Sequence, residues 1–470
     1  MKKHLLSLLA LLTVASASAC TAVICSGKAT VDGRPFIFKN RDSSSGMNNA
    51  MLQLTGTKYK FVGVFNARTT STTSVWYGHN EAGFAILNTV IYYMNSATSS
   101  ANTSAGALMK KALGQCATVD EFEQLLIQTQ AGSVTLSTNF AVMDTLGNVA
   151  LFETSNKSYT KFDVNDPEVA PDGYLIRTNF AFTSPFYDST NHVGEQRYNA
   201  ATRYMQETFA DGAKIDPVKV VRELPRYLIH GSTGVNLWEL EPEDISDVTY
   251  VRYNNFIPRY TSASAALMQG VASGEAPDHT VTWLNVGNPV CSVTVPIVIN
   301  DQGAYPEIVQ RITSAYTSEL CDNALTLKSR MFTKLTDDNS VDTDSIDLSK
   351  LINKQQTGVM QQVVAVEDAI ISRGTEIIDA MRTLPGADGS RGVRADNPDF
   401  VEYYQWVDMF WRDNFPRILK ATDPQSGIDE VKTDRESNSR AAYTIDGRRV
   451  DGKLPSGTIC IQDGKKILVR

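Results

Sequence analysis

The chain has 470 residues, 42% of them hydrophobic and 20% charged, with 44 lysines and arginines against 52 aspartates and glutamates. That length and apolar content suffice for a large core, in one big domain or in two or three. A formal charge of -8 without a basic patch excludes the electrostatic footprint of a nucleic-acid binder.

Lys2 and Lys3 precede an apolar run over residues 5–14, and small residues then lead to Ala17-Ser18-Ala19 ahead of Cys20. This is the pattern of an export signal with a small-x-small cleavage site, so residues 1–19 are expected to be removed and the mature chain to begin at Cys20. The cut takes away two lysines and no acid, which moves the charge to about -10. The run is about half of the ~20 apolar residues that cross a bilayer as a helix, and no later stretch is long enough, so no membrane span is expected. A second reading makes Cys20 the lipid-bearing cysteine of a bacterial lipoprotein, although Ala17 stands where an aliphatic residue is usual. Lipid would block both thiol and amine, so the two readings exclude each other.

Strand patterns at 21–26 and 35–40 flank an Asp32-Gly33 turn and predict a hairpin that starts at the cysteine. Further strands are predicted at 59–66, 74–78, 83–92, 139–144, 148–153, 174–178, 248–254 and 280–286. Helices are predicted at 105–113, at 121–129 behind a Thr118-x-x-Glu121 capping box, at 195–209 and at 217–229. After Pro289 the pattern turns mainly helical, with long amphipathic stretches near 359–384 and 401–422. Strand blocks alternating with helix blocks predict an α+β layered fold. Residues 423–440 read as a polar linker. Residues 441–470 read as a β-like tail resembling the C-terminal tails of exported Bacteroidetes proteins, some of which are sorting or anchoring segments. A final hairpin packed on the main domain is the alternative.

Six cysteines lie far apart, at Cys20, Cys25, Cys116, Cys291, Cys321 and Cys460, and the five histidines are scattered without His-Glu-x-x-His. No metal site or cofactor is therefore expected. With Cys20 a free thiol, the other five cannot all pair within the molecule. Cys25 reads as a structural cysteine, because only the terminal residue owns an amine.

A cysteine at a free amino terminus carries a thiol nucleophile and a proton acceptor on one residue. An α-amino group has a reference pKa near ~7.7 to 8, so part of it is neutral at neutral pH and no catalytic histidine is required. Cys20-Thr21, then Phe38-Lys39-Asn40-Arg41-Asp42, then Asn80-Glu81-x-Gly83-Phe84-Ala85, then Arg177-Thr178-Asn179 follow in order. This set resembles the N-terminal-nucleophile hydrolases of the linear amide C–N hydrolase group: choloylglycine (bile salt) hydrolases, penicillin V acylases and penicillin-forming acyltransferase-like proteins. The resemblance spans roughly 20–296 and thins beyond.

The resemblance implies a four-layer αββα sandwich over 20–296, with a helical extension over 297–422. It makes Cys20 the nucleophile, Asp42 the acid that holds the α-amino group, and Asn179 an orienting amide. Asn88 stands for the oxyanion donor, two residues closer to its motif than in bile salt hydrolases, a shift that keeps a strand side chain on the same face. Arg197 matches a later arginine at a helix start. Lys39 stands where bile salt hydrolases have arginine, so the planar fork is lost, and Arg41 is the neighbouring cation. Lys39, Arg41 and Asn80 are the expected substrate-binding residues, and Tyr92, Tyr93, Phe180, Phe182 and Phe186 read either as an acyl pocket or as core.

The implied activity is hydrolysis of a small N-acyl amide through a thioester, in a dimer or tetramer exported to the periplasm or surface of a Gram-negative cell. A related cysteine dipeptidase shares the Cys-Thr start and a stretch like Gly27-Lys28-Ala29-Thr30-Val31-Asp32-Gly33. A Cys20-lipidated binding protein is the non-enzymatic alternative.

Overall fold

The strand that starts at Cys20 is buried along its whole length, as is the strand that pairs with it. A computed structural model describes residues 20–43, 47–68, 71–96, 104–186, 193–300, 303–334, 341–383, 398–420 and 422, together with 442–443, 449–450, 459–462 and 465–468 near the C-terminus. The export-like segment 1–19 and the linker 423–440 lie outside the described residues.

In chain order the strands are β1 (Cys20–Cys25), β2 (Phe36–Asp42), β3 (Asn49–Thr55), β4 (Lys60–Asn66), β5 (Tyr77–Asn80), β6 (Ala85–Val90), β7 (Thr138–Met143), β8 (Val149–Thr154), β9 (Tyr159–Asp163), β10 (Tyr174–Arg177), β11 (Tyr250–Arg252), β12 (Ser262–Gln269), β13 (Val281–Val286), β14 (Val295–Ile297), β15 (Phe332–Lys334) and β16 (Val341–Asp347). The helices are α1 (Ala105–Leu113), α2 (Val119–Gln130), α3 (Glu195–Thr208), α4 (Pro217–Glu223), α5 (Glu319–Met331), α6 (Leu348–Leu351), α7 (Val359–Thr383) and α8 (Pro398–Lys420). The result is a mixed α/β protein whose sheets are antiparallel.

Six strands form one sheet in the order β10-β1-β2-β12-β13-β14, and β3 to β9 form a second as a seven-stranded meander. Their alternation explains the packing. In the meander, Val62, Val64, Ala85, Leu87, Ala141, Met143, Val149 and Leu151 join the same buried cluster as Ile24, Ile37 and Leu284 of the other sheet. Their strand neighbours Phe61, Phe65, Ile86, Phe140, Val142 and Phe152 turn the other way, into a separate cluster with Leu108, Leu113, Phe122 and Leu126 of α1 and α2. A period of two thus gives the meander one face against the six-stranded sheet and one against helices. On the six-stranded sheet, α3 meets β1 and β10, α4 meets β12 and α7 meets β14. Strands covered on both sides read as continuous apolar runs, as in Ala-Val-Ile-Cys of β1.

Helix α2 is capped by Thr118, whose Oγ1 accepts from Glu121 N at 3.1 Å, while the Glu121 carboxylate reaches Ala117 N one residue further back than a standard box. The helix predicted over 217–229 stops at Glu223, because Pro225 forces a short 3-10 turn.

That turn carries Arg226, whose guanidinium lies fork to fork on Glu367 of α7, at 2.7 and 2.6 Å, with Thr294 N donating to the same carboxylate at 2.6 Å. Both side chains are almost fully buried. Glu367→Ala leaves a guanidinium in the core without its counter-ion and is expected to lower unfolding free energy by about 3–5 kcal/mol in denaturant titration.

The second unit, Gln425–Arg470, contains β17 (Ala442–Tyr443), β18 (Arg449–Val450), β19 (Ile459–Gln462) and β20 (Lys465–Leu468), paired antiparallel in the order β18-β17-β19-β20.

Candidate functional site

Pairing of β1 with β2 sets Cys20 opposite Arg41 and Ala22 opposite Lys39, so these four share the face turned toward the meander. Thr21, Asn40 and Asp42 take the opposite face. Cys20 is 5% exposed.

In the described chain Cys20 is still joined to the residue before it, so its peptide N–H occupies the place of the α-amine that cleavage would release. That N–H donates to Asn179 Oδ1 at 2.7 Å. Arg197 Nη2 donates to the same oxygen at 2.9 Å, and Asn179 Nδ2 donates to Val90 O at 2.7 Å. An arginine can only donate and a carbonyl can only accept, so the amide orientation is fixed by chemistry. Arg197 Nη1 also donates to Cys20 O and, at 3.1 Å, to Thr21 Oγ1. The Cys20 backbone is thereby held from both sides by two residues that the sequence singled out.

Arg197 is 1% exposed, a cation held in the interior by these bonds. It stands in the first turn of α3, and its side chain folds back over the helix start toward β1. Gly194 makes room for it: φ is +92°, and a Cβ there would lie 2.2 Å from Arg197 Nη2. Gly194→Ala is expected to cost about 1–3 kcal/mol of stability by thermal melting, and to displace the guanidinium from Cys20 O.

Lys39 is 1% exposed and its Nζ meets only neutral acceptors, Asn88 Oδ1 at 3.0 Å and Trp76 O at 3.2 Å. Burial pulls its pKa down to about 8, against the opposing attraction of Cys20. Arg41 donates to Asn49 Oδ1 at 2.9 Å and Asn66 Oδ1 at 3.3 Å, and its guanidinium lies 4.4 Å from the Trp76 ring centroid. Its place is structural rather than open to a substrate.

Arg41 is thus one expectation corrected, and three more are corrected with it. Asp42 does not bond Cys20 N; its Oδ1 accepts from Ser262 Oγ at 2.7 Å and Asn40 Nδ2 at 3.1 Å, and its Oδ2 from Arg259 Nε at 2.8 Å. The physical reason is that the peptide nitrogen has a single hydrogen, and Asn179 Oδ1 takes it. Asn88 is not on the face of β6 that Cys20 looks toward: it pairs with Phe140 on the helix side, while Thr89 and Asn139 are paired on the inward side. Its Nδ2 donates to Thr138 Oγ1 at 3.0 Å and its Oδ1 receives Lys39. Asn80 is a structural turn residue, with Nδ2 on the carbonyls of Leu113 and Cys116 and Oδ1 accepting from Ala82 N and Phe84 N.

Sequence reasoning missed Arg259, Ser262 and Glu153. Glu153 is fully buried on β8 and accepts from Phe182 N at 3.0 Å and Thr183 N at 2.6 Å, which fixes the loop following Asn179. Tyr92 N donates to Asn179 O at 3.0 Å, so the loops after β6 and β10 meet beside Cys20. Of the five aromatics, Tyr92 and Phe180 are buried, whereas Phe182 and Phe186 are exposed. Burial lifts the Tyr92 phenol to about 12.

Cys25 is fully buried, and burial pushes its thiol far up, as befits a structural cysteine. A cleft of about 630 Å³ opens at the other end of β1, beside Ser26, Lys28, Tyr174 and Lys214, away from Cys20. Among the described residues no cluster of histidine, cysteine or carboxylate side chains is arranged to hold a metal ion, and no helix is long and apolar enough to cross a membrane.

No protein-family model and no curated protein matches the chain. Among solved structures it is similar to a variant of conjugated bile acid hydrolase from Clostridium perfringens, at 13% identity and a TM-score of 0.34 over 60% of this chain and 93% of that one. It is similar to penicillin V acylase from Agrobacterium tumefaciens at 12% identity and a TM-score of 0.32, over 60% and 86%. Thermostable penicillin G acylase from Alcaligenes faecalis gives 10% and 0.27, over 84% and 79%. Similarity this distant assigns no activity to this chain.

Proposed function

We propose that the chain is an exported cysteine N-terminal-nucleophile hydrolase with an αββα sandwich, cleaving a linear amide C–N bond of an N-acyl substrate. The observation that carries this reading is the hydrogen bond from Cys20 N to Asn179 Oδ1, itself clamped by Arg197. Once residues 1–19 are cut away, that nitrogen becomes an amine. Asn179 takes one of its hydrogens, and the nearby Arg197 cation disfavours the protonated form, leaving a lone pair for the thiol proton.

In the first half-reaction the amine takes the Sγ proton, sulfur attacks the amide carbon, and the carbonyl electron pair moves to oxygen. The ammonium then protonates the leaving nitrogen, the C–N bond breaks and a thioester remains. In the second half the same amine takes a proton from water, the oxygen attacks the thioester carbon, the C–S bond breaks to release the acid, and the ammonium returns its proton to sulfur; an amine acceptor in place of water makes the enzyme an acyltransferase. Lys39 shares a face with Cys20 and supplies positive charge to thiolate and oxyanion.

Processed protein incubated with a panel of N-acyl amides is expected to release amine and to carry an acyl mass on Cys20, and Cys20→Ala to do neither. The panel includes bile acid conjugates, penicillin V, N-acyl amino acids and dipeptides. Absence of both turnover and acylation across the panel overturns the proposal.

A further inference from the structure

Arg41 is a second cation beside Cys20, and the reaction steps leave it without a part. The two residues are direct partners across β1 and β2 on one face of the sheet, which sets their Cβ atoms about 4.5–5.5 Å apart. Burial pulls the guanidinium below the usual arginine range, and a charged Cys20 is the largest attraction opposing burial. Such an attraction is mutual, so the cation favours sulfur in its thiolate form. Lys39 stands on the same face but loses its proton near pH 8, whereas an arginine stays charged.

What this charge does depends on where the guanidinium is held. Nη1 donates to Asn49 Oδ1 at 2.9 Å and Nη2 to Asn66 Oδ1 at 3.3 Å. Asn66 Oδ1 is shared with Trp76 Nε1, which donates to it at 3.0 Å. Asn49 is fully buried and is the nearer acceptor. Its Nδ2 donates to Met47 O at 2.7 Å and to Ala263 O at 3.1 Å, which leaves its oxygen as the end that meets the arginine.

Helix α5 holds Asn49 from behind. Ser318, the residue before the helix, donates through Oγ to Asn49 O at 2.8 Å. Cys321, in the first turn, accepts from Asn49 N at 3.3 Å and donates to Met47 O at 3.3 Å. Burial pushes the Cys321 thiol up to about 11, so it keeps the proton it donates. Further along the same helix face, Lys328 Nζ lies 2.9 Å from Met47 Sδ and donates to Tyr260 O at 3.0 Å. The helix comes this close because residue 287 is glycine: φ is +100°, and a Cβ there would lie 2.6 Å from Ala324 Cβ.

Resting on the hydrolase reading, we infer that Asn49 is a positioning residue: locked by Ser318 and Cys321 at the start of α5, it aims the Arg41 guanidinium so that its charge sustains the Cys20 thiolate. The helix acts on the nucleophile through one asparagine and one arginine.

The test uses processed full-length protein and two readouts. One is the rate at which iodoacetamide labels Cys20 at pH 7, followed by mass; the other is kcat and KM on an amide that the native enzyme turns over. Asn49→Ala is expected to lower the labelling rate and kcat together by about tenfold, with KM unchanged because Arg41 binds no substrate. In an Arg41→Met background, where the cation is already gone, the same change is expected to cost nothing more. A merely structural role would lower both backgrounds alike. Cys321→Ala is expected to lose about two- to threefold, the lower range of one neutral hydrogen bond. Cys321→Ser is expected to recover it, since a hydroxyl still donates to Met47 O and accepts from Asn49 N. Should Asn49→Ala melt below the assay temperature, the Cys321 pair alone decides. An unchanged labelling rate in folded Asn49→Ala, an equal loss in the Arg41→Met background, or Cys321→Ser no better than Cys321→Ala overturns the inference while leaving the hydrolase reading intact. Native protein that is labelled at Cys20 but turns over no amide is failure of the hydrolase reading, and the labelling comparison still tests Asn49.

Discussion

Protein made with one extra methionine ahead of Cys20 is expected to lose amide turnover by at least ~10³-fold, while its Cys20 thiol stays in place. A peptide nitrogen has its lone pair delocalised into the carbonyl and cannot take a proton, whereas the amine freed by cleavage has a reference pKa near ~7.7 to 8. The fold does not depend on this difference, because Cys20 N already donates to Asn179 Oδ1 with the preceding residue attached. Capped and uncapped proteins should therefore melt alike and both be alkylated after unfolding, and only the uncapped form should form a thioester detectable by mass. Removal of the extra residue by an aminopeptidase should restore activity without refolding. Full turnover by the capped form would show that the proton goes elsewhere, and the mechanism would be wrong.

Much of this site is legible because strand chemistry is local. The hairpin beginning at Cys20 follows from β-branched and aromatic residues on either side of Asp32-Gly33, and the structure pairs Cys20 to Cys25 with Arg41 to Phe36. Helix α1 also matches its apolar spacing, with Leu108, Met109, Ala112 and Leu113 buried. By contrast β12 reads Ser-Ala-Ser-Ala-Ala-Leu-Met-Gln, which lacks β-branched residues, yet it is buried at every position between β2 and β13. Small residues are used there because sheet and helices close in from both sides, a tertiary demand that local propensity does not express. Missing β12 meant missing Ser262 and Arg259, the partners that hold Asp42. Strand β9 went unread for the opposite reason: as an edge strand it is polar and largely exposed. Asn80 was over-read, because a turn asparagine that ties α1 to the meander looks the same in sequence as one that binds a ligand.

The second large effect is expected at Lys39, and it separates stability from activity. Its folded pKa, about 8, lies below the ordinary 10.5 because burial disfavours the ammonium, with Cys20 and Asp42 pulling the other way and Arg41 reinforcing burial. Below pH 8 the folded protein carries a buried charge that the unfolded chain hydrates freely. Between about 8 and 10.5 the unfolded state binds more protons than the folded one, so this group's contribution to stability rises with pH across that window. Lys39→Met removes the charge and is expected to be more stable than the native protein at pH 7, by on the order of 1–3 kcal/mol, with the gap narrowing toward pH 10.5. Activity should move the other way. The Lys39 cation shares a face with the Cys20 thiol, so its loss is expected to lower kcat/KM by about 10²-fold. The alkaline fall of kcat/KM near pH 8, where the native Lys39 loses its proton, should vanish in the variant, leaving the acid limb set by the amine. A variant as active as the native enzyme, with the same alkaline limb, would mean that the charge beside Cys20 has no part in the reaction and that Lys39 serves only to bridge Trp76 and Asn88.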